Sequence, residues 1–242
     1  MPQSSRVPAG VKALAFDTFG TVVDWRSSII ADFRRFGRRK KLEADWAALV
    51  DEWKKAYRPG MDAVNSGRRP WTTVDAIYRE KLDELLPRYG LQALSEEERV
   101  YLNRAWHRLD PWPDAVPGLK RLKKKYVIAP LSNGDVACLV NMAKRAGLPW
   151  DVILCAELFR RYKPDPEVYL GAIRLLGLEP REVMMVAAHN YDLRAARACG
   201  MRTAFVPRPA EYGPRQSTDL QAEDDWDVIA QDFRALAAKL GA

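Results

Sequence analysis

The stretch Phe16-Asp17-Thr18-Phe19-Gly20-Thr21 decides how the rest of this 242-residue chain is understood. It closes an apolar run over residues 11–16, broken only by Lys12, with the character of a buried strand. The glycine three places after Asp17 lets the chain turn sharply and bring backbone close to a ligand. In an open α/β sheet, ligands bind at the carboxyl ends of the strands, so an aspartate there has the position of a reactive carboxylate. Taken alone, the stretch fits a helix N-cap or Asx-turn aspartate equally well.

The chain that follows decides between the two. Helical spacing runs through residues 25–36, 42–57, 73–86 and 95–108, with a break expected at Pro59-Gly60 and a polar turn at 65–70. No strand pattern interrupts residues 24–110, which implies a helical module inserted after the first strand. Pro111, Pro113 and Pro117 mark the return, and from there strands and helices alternate. Helix is expected over 119–125, 136–146, 166–176 and 192–199, with Pro164 and Pro166 at the entrance of the third. Strands are expected over 126–131, 152–155, 183–187 and 203–206, and residues 226–240 have the pattern of a closing helix.

This alternation predicts an α/β fold, a doubly wound parallel sheet built from residues 1–23 and 111–242, with 24–110 as the inserted helical domain. Several predicted strands end in polar residues: Asp17, then Ser132 and Asn133, then His189 and Asn190. In a parallel sheet those ends share one rim, so independent segments converge there. That convergence favours an active-site role for Asp17.

Composition bounds the rest. At 48% apolar and 29% charged residues the chain is globular, and it is long enough for one large domain or a core with an insert. No apolar run reaches bilayer length and the first ten residues hold no signal-peptide core, so a cytoplasmic protein without membrane partners is expected. Cys138, Cys155 and Cys199 are far apart and lack metal-like spacing, which implies reduced thiols. The net charge of +7 comes largely from two clusters, Arg34 to Lys41 and Lys120 to Lys125, near predicted helix ends where cations suit the helix dipole. Neither has the aromatic interleaving or the motif of a nucleic-acid binder. A positive field still draws small anionic substrates toward a cleft.

Four segments together resemble the four motifs of the haloacid dehalogenase superfamily: Asp17-Thr18-Phe19-Gly20-Thr21, Leu131-Ser132-Asn133-Gly134, Tyr162-Lys163-Pro164-Asp165, and the region of Asp192. The resemblance implies a Rossmann-like core, an aspartate nucleophile and a helical cap. Phosphatases of this type carry a general acid two residues after the nucleophile, where this chain has Phe19. They also hold magnesium through a carboxylate at the position of Ala188. A departing halide needs neither group. The chain therefore resembles the L-2-haloacid dehalogenases, and in detail a bacterial subgroup with Ala187-Ala188-His189-Asn190-Tyr191-Asp192 and Trp112-Pro113-Asp114. A magnesium-dependent phosphatase of the same superfamily and a catalytically retired binding module are the alternatives.

The resemblance implies roles for particular residues. Asp17 attacks C2 of a 2-haloalkanoate such as haloacetate or L-2-halopropionate and forms an ester. Water then releases the D-2-hydroxy acid, without metal or cofactor. Thr21 bonds Asp17 or orders the turn; Ser132 and Asn133 receive the substrate carboxylate or cap the following helix. Lys163 neutralises and orients Asp17, Tyr169 hydrogen-bonds in the site or packs in the core, and Asp192 activates the hydrolytic water. His189 stands where relatives use an asparagine, with Asn190 one place later; it is a binding group, a base or a structural residue. Phe19 lines the substrate site. Trp53, Lys54 and Tyr57 are candidates for a halide pocket in the cap, and Lys54 departs from the arginine of relatives, a compact charge in place of a planar fork. His107 is assigned to structure. Relatives commonly dimerise, which implies a homodimer.

Overall fold

The computed structural model describes residues 9–242. The core is a six-stranded sheet in the order β5-β4-β1-β6-β7-β8, with every neighbouring pair parallel. Its strands are β1 (Ala13–Phe16), β4 (Val127–Ser132), β5 (Leu154–Cys155), β6 (Val183–Ala187), β7 (Arg202–Phe205) and β8 (Val228–Ile229). The central strands β1 and β6 are buried along their whole length, as a sheet covered on both faces requires. Phe16 pairs with Pro130 of β4 and Val186 of β6, so Asp17, Ser132 and the Ala188-His189 turn emerge side by side at one rim. Helices α6 (Ala115–Leu122), α7 (Val136–Ala146), α8 (Ala156–Phe159), α9 (Pro166–Leu176), α10 (Asn190–Ala198) and α11 (Phe233–Lys239) complete this layer.

Between β1 and β4 lies the helical insert. A two-residue pair, β2 (Val23–Asp24) antiparallel to β3 (Asp110–Pro111), closes its neck. Above it stand α1 (Trp25–Lys40), α2 (Trp46–Lys54), α3 (Tyr57–Asn65), α4 (Val74–Leu85) and α5 (Glu96–Asn103), followed by a 3₁₀ turn over Arg104–Arg108. Asp24, Asp45, Thr73 and Ser95 each cap the helix they precede. The basic residues Arg38, Arg39 and Lys40 form the last turn of α1, where they suit the dipole.

Two expectations are corrected. Pro59-Gly60 does not break the chain: Pro59 falls in the first turn of α3, where its missing N–H has no partner to lose. Gly60 is there because α4 comes close; a Cβ at Gly60 would meet Ile77 Cγ2 at 2.4 Å. The closing segment is not one helix either. Val228 and Ile229 add an edge strand to β7, and Asp232 then caps a shorter helix. All three cysteines are unpaired, and no helix among the described residues is long and apolar enough to cross a membrane.

Candidate active site

Asp17 leaves the end of β1 with both carboxylate oxygens engaged. Oδ1 accepts from Lys163 Nζ at 3.0 Å, and Oδ2 accepts from Thr21 Oγ1 at 2.7 Å. His189 Nδ1 stands 3.1 Å from Oδ2. Burial would raise this carboxyl, but Lys163 and His189, with the Thr21 hydroxyl, outweigh it and hold it far below the usual carboxylate range. Asp17 is thus an anion poised at a pocket. Thr21 is fixed in turn, since its Oγ1 accepts from Ala188 N at 2.9 Å.

Gly20 turns the chain back with φ +89°, a conformation side chains disfavour. The turn is clamped from the core: Trp112 Nε1 donates to Gly20 O at 2.7 Å, and Arg208 Nε donates to Thr21 O at 2.9 Å. Arg208 also forks onto both oxygens of Asp114 at 2.7 and 2.8 Å. The segment Trp112-Pro113-Asp114 therefore braces the turn that follows Asp17.

Lys163 is fully buried, and its ammonium bridges Asp17 and Asp192. Burial lowers its pKa less than the two carboxylates raise it, so it is held as a cation. Asn133 sets its backbone: Lys163 N donates to Asn133 Oδ1 at 2.7 Å, and Asn133 Nδ2 donates back to Lys163 O. Ser132 Oγ accepts from Gly134 N at 3.1 Å. Both side chains thus order the loop, and neither is among the residues lining the pocket. Asp192 is sealed from solvent, with Oδ2 on Lys163 and Oδ1 accepting from the Tyr169 hydroxyl. Burial pushes its carboxyl up against the pull of Lys163.

Facing Asp17 is a pocket of about 200 Å³. Phe19 forms its floor, edge-on to Trp106 at 5.7 Å. The insert contributes Lys54, Lys55, Tyr57 and Arg58, and the core contributes His189, Tyr191, Glu211 and Tyr212. Lys54 Nζ lies 3.9 Å from the Tyr57 ring centre and 5.1 Å from that of Trp25. Burial pushes its ammonium down to about 8, against the pull of Glu211 and Asp17. No ion pair among the described residues involves Lys54 or Arg58, and Arg58 lies over the Tyr191 ring at the mouth.

Two expected site residues lie elsewhere. Trp53 is enclosed in the insert, donating its indole N–H to Tyr78 O at 2.7 Å and stacking on Phe33. It stands behind the pocket wall. The Asn190 amide faces away from Asp17, donating to Asp219 and Gln221 and accepting from Glu223 N and Trp226 Nε1. It tethers the segment before β8, because the first residue of α10 points to the opposite side from His189. His107 is held between Asp75 and Asn141 and is not among the residues lining the pocket.

One residue the sequence did not announce is Glu211. Its Oε2 stands 2.9 Å from His189 Nε2, and Oε1 accepts from Trp25 Nε1 at 3.1 Å. It sits in the irregular stretch after β7, with no periodicity or motif to mark it. The signal is Gly20: a Cβ there would fall 2.2 Å from the Glu211 carboxyl carbon, so the glycine makes room for this carboxylate.

The family model for haloacid dehalogenase-like hydrolases matches residues 11–200. The (S)-2-haloacid dehalogenase of Xanthobacter autotrophicus is 30% identical over 82% of this chain and 76% of that protein. The chain belongs to the haloacid dehalogenase-like hydrolases, on their L-2-haloacid dehalogenase branch. Among solved structures, the L-2-haloacid dehalogenase PA0810 is 51% identical, covering 96% of this chain and 99% of its own, with a TM-score of 0.94. The defluorinating L-2-haloacid dehalogenase Rha0230 is 49% identical over 98% and 99%, also at 0.94. The pocket is lined by Asp17, which Lys163 contacts, and by Phe19 two places on.

Proposed function

We propose that this protein hydrolyses short L-2-haloalkanoates to D-2-hydroxy acids through an ester on Asp17. The observation that carries the reading is Asp17 itself, ionised between Lys163 and Thr21 at the base of a small pocket whose floor is apolar. Such a carboxylate is ready to displace halide from C2, with inversion, and no group need protonate the departing halide. Phe19 cannot serve an alkoxide leaving group, which speaks against phosphate esters.

Lys54 and Arg58 are the cations that meet the anionic substrate and the departing halide. The wall opposite Asp17 is aromatic, so a halide beside Lys54 is poorly hydrated and strongly held. Thr21 and Lys163 keep Asp17 aligned, Asn133 and Ser132 keep Lys163 in place, and Tyr169 holds Asp192 against Lys163. Residues 24–110 act as the cap that closes the pocket, and the protein works as a cytoplasmic homodimer; size-exclusion chromatography with light scattering tests the dimer.

The deciding experiment is halide release from L-2-chloropropionate and chloroacetate with chelator present, wild type against Asp17→Asn. Chelator-resistant release that vanishes in the variant supports the reading. Absence of release from both acids overturns the substrate class.

A further inference from the structure

We infer that Asp75, His107 and Cys138 form a binding site for a divalent cation of the zinc class, which fastens the helical insert to the core. The site is separate from the pocket facing Asp17, and it stands whether or not the substrate class proposed above is right.

The three residues are far apart in sequence and come from three elements. Asp75 is in the first turn of α4 and His107 in the 3₁₀ turn over Arg104–Arg108, both in the insert. Cys138 is in the first turn of α7, in the core. Their carboxylate, imidazole and sulfur atoms lie within 4.8 Å of one another. Oxygen, nitrogen and sulfur together suit Zn²⁺ or Co²⁺, whereas Mg²⁺ and Ca²⁺ take oxygen ligands. Zinc ligands stand about 2.0–2.3 Å from the ion, so donors around it are roughly 3.3–3.8 Å apart. Small rotations of these side chains reach that spacing.

Hydrogen bonding alone leaves the cluster incomplete. His107 Nε2 is 2.6 Å from Asp75 Oδ2, but Asp75 Oδ1 is buried without a partner. Asn103, whose amide donates to Asp75 O at 3.0 Å, has an orphaned Oδ1 as well. Such groups are costly inside a protein unless something pairs with them. The charge is also unbalanced. Asp135 accepts from Val74 N and Asp75 N, and Glu157 accepts from Val136 N, so three carboxylates meet at this joint. Among the described residues, none of the three forms an ion pair with a lysine or arginine. A bound dication supplies the missing charge and gives Asp75 Oδ1 a partner. It takes the place of the proton between Asp75 and His107, and the Cys138 thiol gives up its proton to solvent. His107 Nδ1 is 3.0 Å from the side-chain amide of Asn141, one turn beyond Cys138 on α7. With the ion on Nε2, Nδ1 carries the proton and Asn141 turns its amide oxygen to accept it, the outer partner that metal-bound histidines use. Three protein ligands leave the fourth tetrahedral position to water. The Asp75 side chain is 27% exposed and gives the ion a way in, while His107 and Cys138 are buried.

The test is a Co²⁺ titration of the chelator-stripped full chain under reducing conditions, followed by absorption. We expect about one cobalt per chain and a thiolate-to-cobalt charge-transfer band that excess Zn²⁺ abolishes. The band should disappear in Cys138→Ser and persist in the double variant Cys155→Ser with Cys199→Ser. In Asn141→Ala, Co²⁺ should bind about 10-fold more weakly or worse. Zn²⁺ should raise the thermal midpoint of the wild type and leave that of Cys138→Ser unmoved. If Cys138→Ser does not fold, the cysteine double variant and Asn141→Ala carry the test. No charge-transfer band in the wild type overturns the inference, as does a band that survives Cys138→Ser or is lost with Cys155 and Cys199. Equal stabilisation of wild type and Cys138→Ser by Zn²⁺ marks surface binding and overturns it too. Unchanged affinity in Asn141→Ala overturns the outer role of Asn141.

Discussion

Replacing Lys163 with methionine removes one ammonium and leaves two buried carboxylates without it. Lys163 is 3.0 Å from Asp17 and in direct contact with Asp192, and the three side chains are almost wholly shielded from water. Removing one partner from such a buried pair costs about 3–5 kcal/mol, most of it the penalty of the stranded charge. The pH dependence separates this account from simple loss of packing. In wild type, the folded pKa of Asp17 lies below its unfolded value, so its contribution is fully present above the ordinary carboxylate range. It is lost only as pH falls through the low folded value, so the Asp17 contribution is flat between about pH 5 and 8. In Lys163→Met, Asp192 keeps only the Tyr169 hydroxyl, and burial, no longer opposed by Lys163, drives its already raised folded pKa further up. Folding then takes up a proton, and the variant gains stability as pH falls. Urea unfolding of both proteins at pH 5 and 8 should show a gap of about 4 kcal/mol at pH 8 that narrows at pH 5. A gap below about 1 kcal/mol, or one equal at both pH values, would refute the reasoning.

Two further outcomes follow from charged groups around the same site. The Lys54 ammonium titrates at about 8, and it is charged below that value, so halide release should fall as pH rises through it. Lys54→Arg should carry the alkaline limb out of the measured range, and a limb that stays in place would assign the loss to another group. The Arg208 guanidinium is 7% exposed and pairs bidentately with Asp114, whose second oxygen also accepts from Phe233 N. Arg208→Met should therefore lower stability by about 3–5 kcal/mol in urea titration. It should also slow turnover through the loosened Thr21 carbonyl, and a change in stability alone would separate the brace from Asp17.

The sheet and its rim were legible because strand periodicity and polar strand ends are local signals. Asp17, Ser132, Asn133 and His189 each close a strand, and parallel pairing does the rest. Lys163 is reached through a loop, and its motif, not its periodicity, marks it. Orientation is harder to read than position. His189 and Asn190 are adjacent in sequence but serve opposite sides of the α10 entrance, one toward Asp17 and one toward Trp226. Trp53 and Lys54 divide in the same way, into the interior of the insert and its pocket face. Glu211 was invisible because its place depends on a tertiary fit against Gly20, nearly two hundred positions earlier. The missed edge strand β8 has the same origin, since two residues become a strand only when β7 supplies partners.

The contacts between α4 and the core bear on how such an enzyme can be rebuilt. Asp135, at the entrance of α7, accepts from Val74 N and Asp75 N and so closes the first turn of a helix belonging to the insert. Asn65 exchanges hydrogen bonds with the Tyr162 backbone, and the Tyr162 hydroxyl donates to Thr72 O. The insert is contiguous in sequence, yet part of its capping chemistry is encoded in the other layer. A chimera that imports residues 24–110 from a relative will expose unpaired helix N–H groups unless the recipient carries a carboxylate at Asp135. Recombination between members of this family is then expected to favour crossovers that keep Asp135 and Tyr162 with the insert they serve.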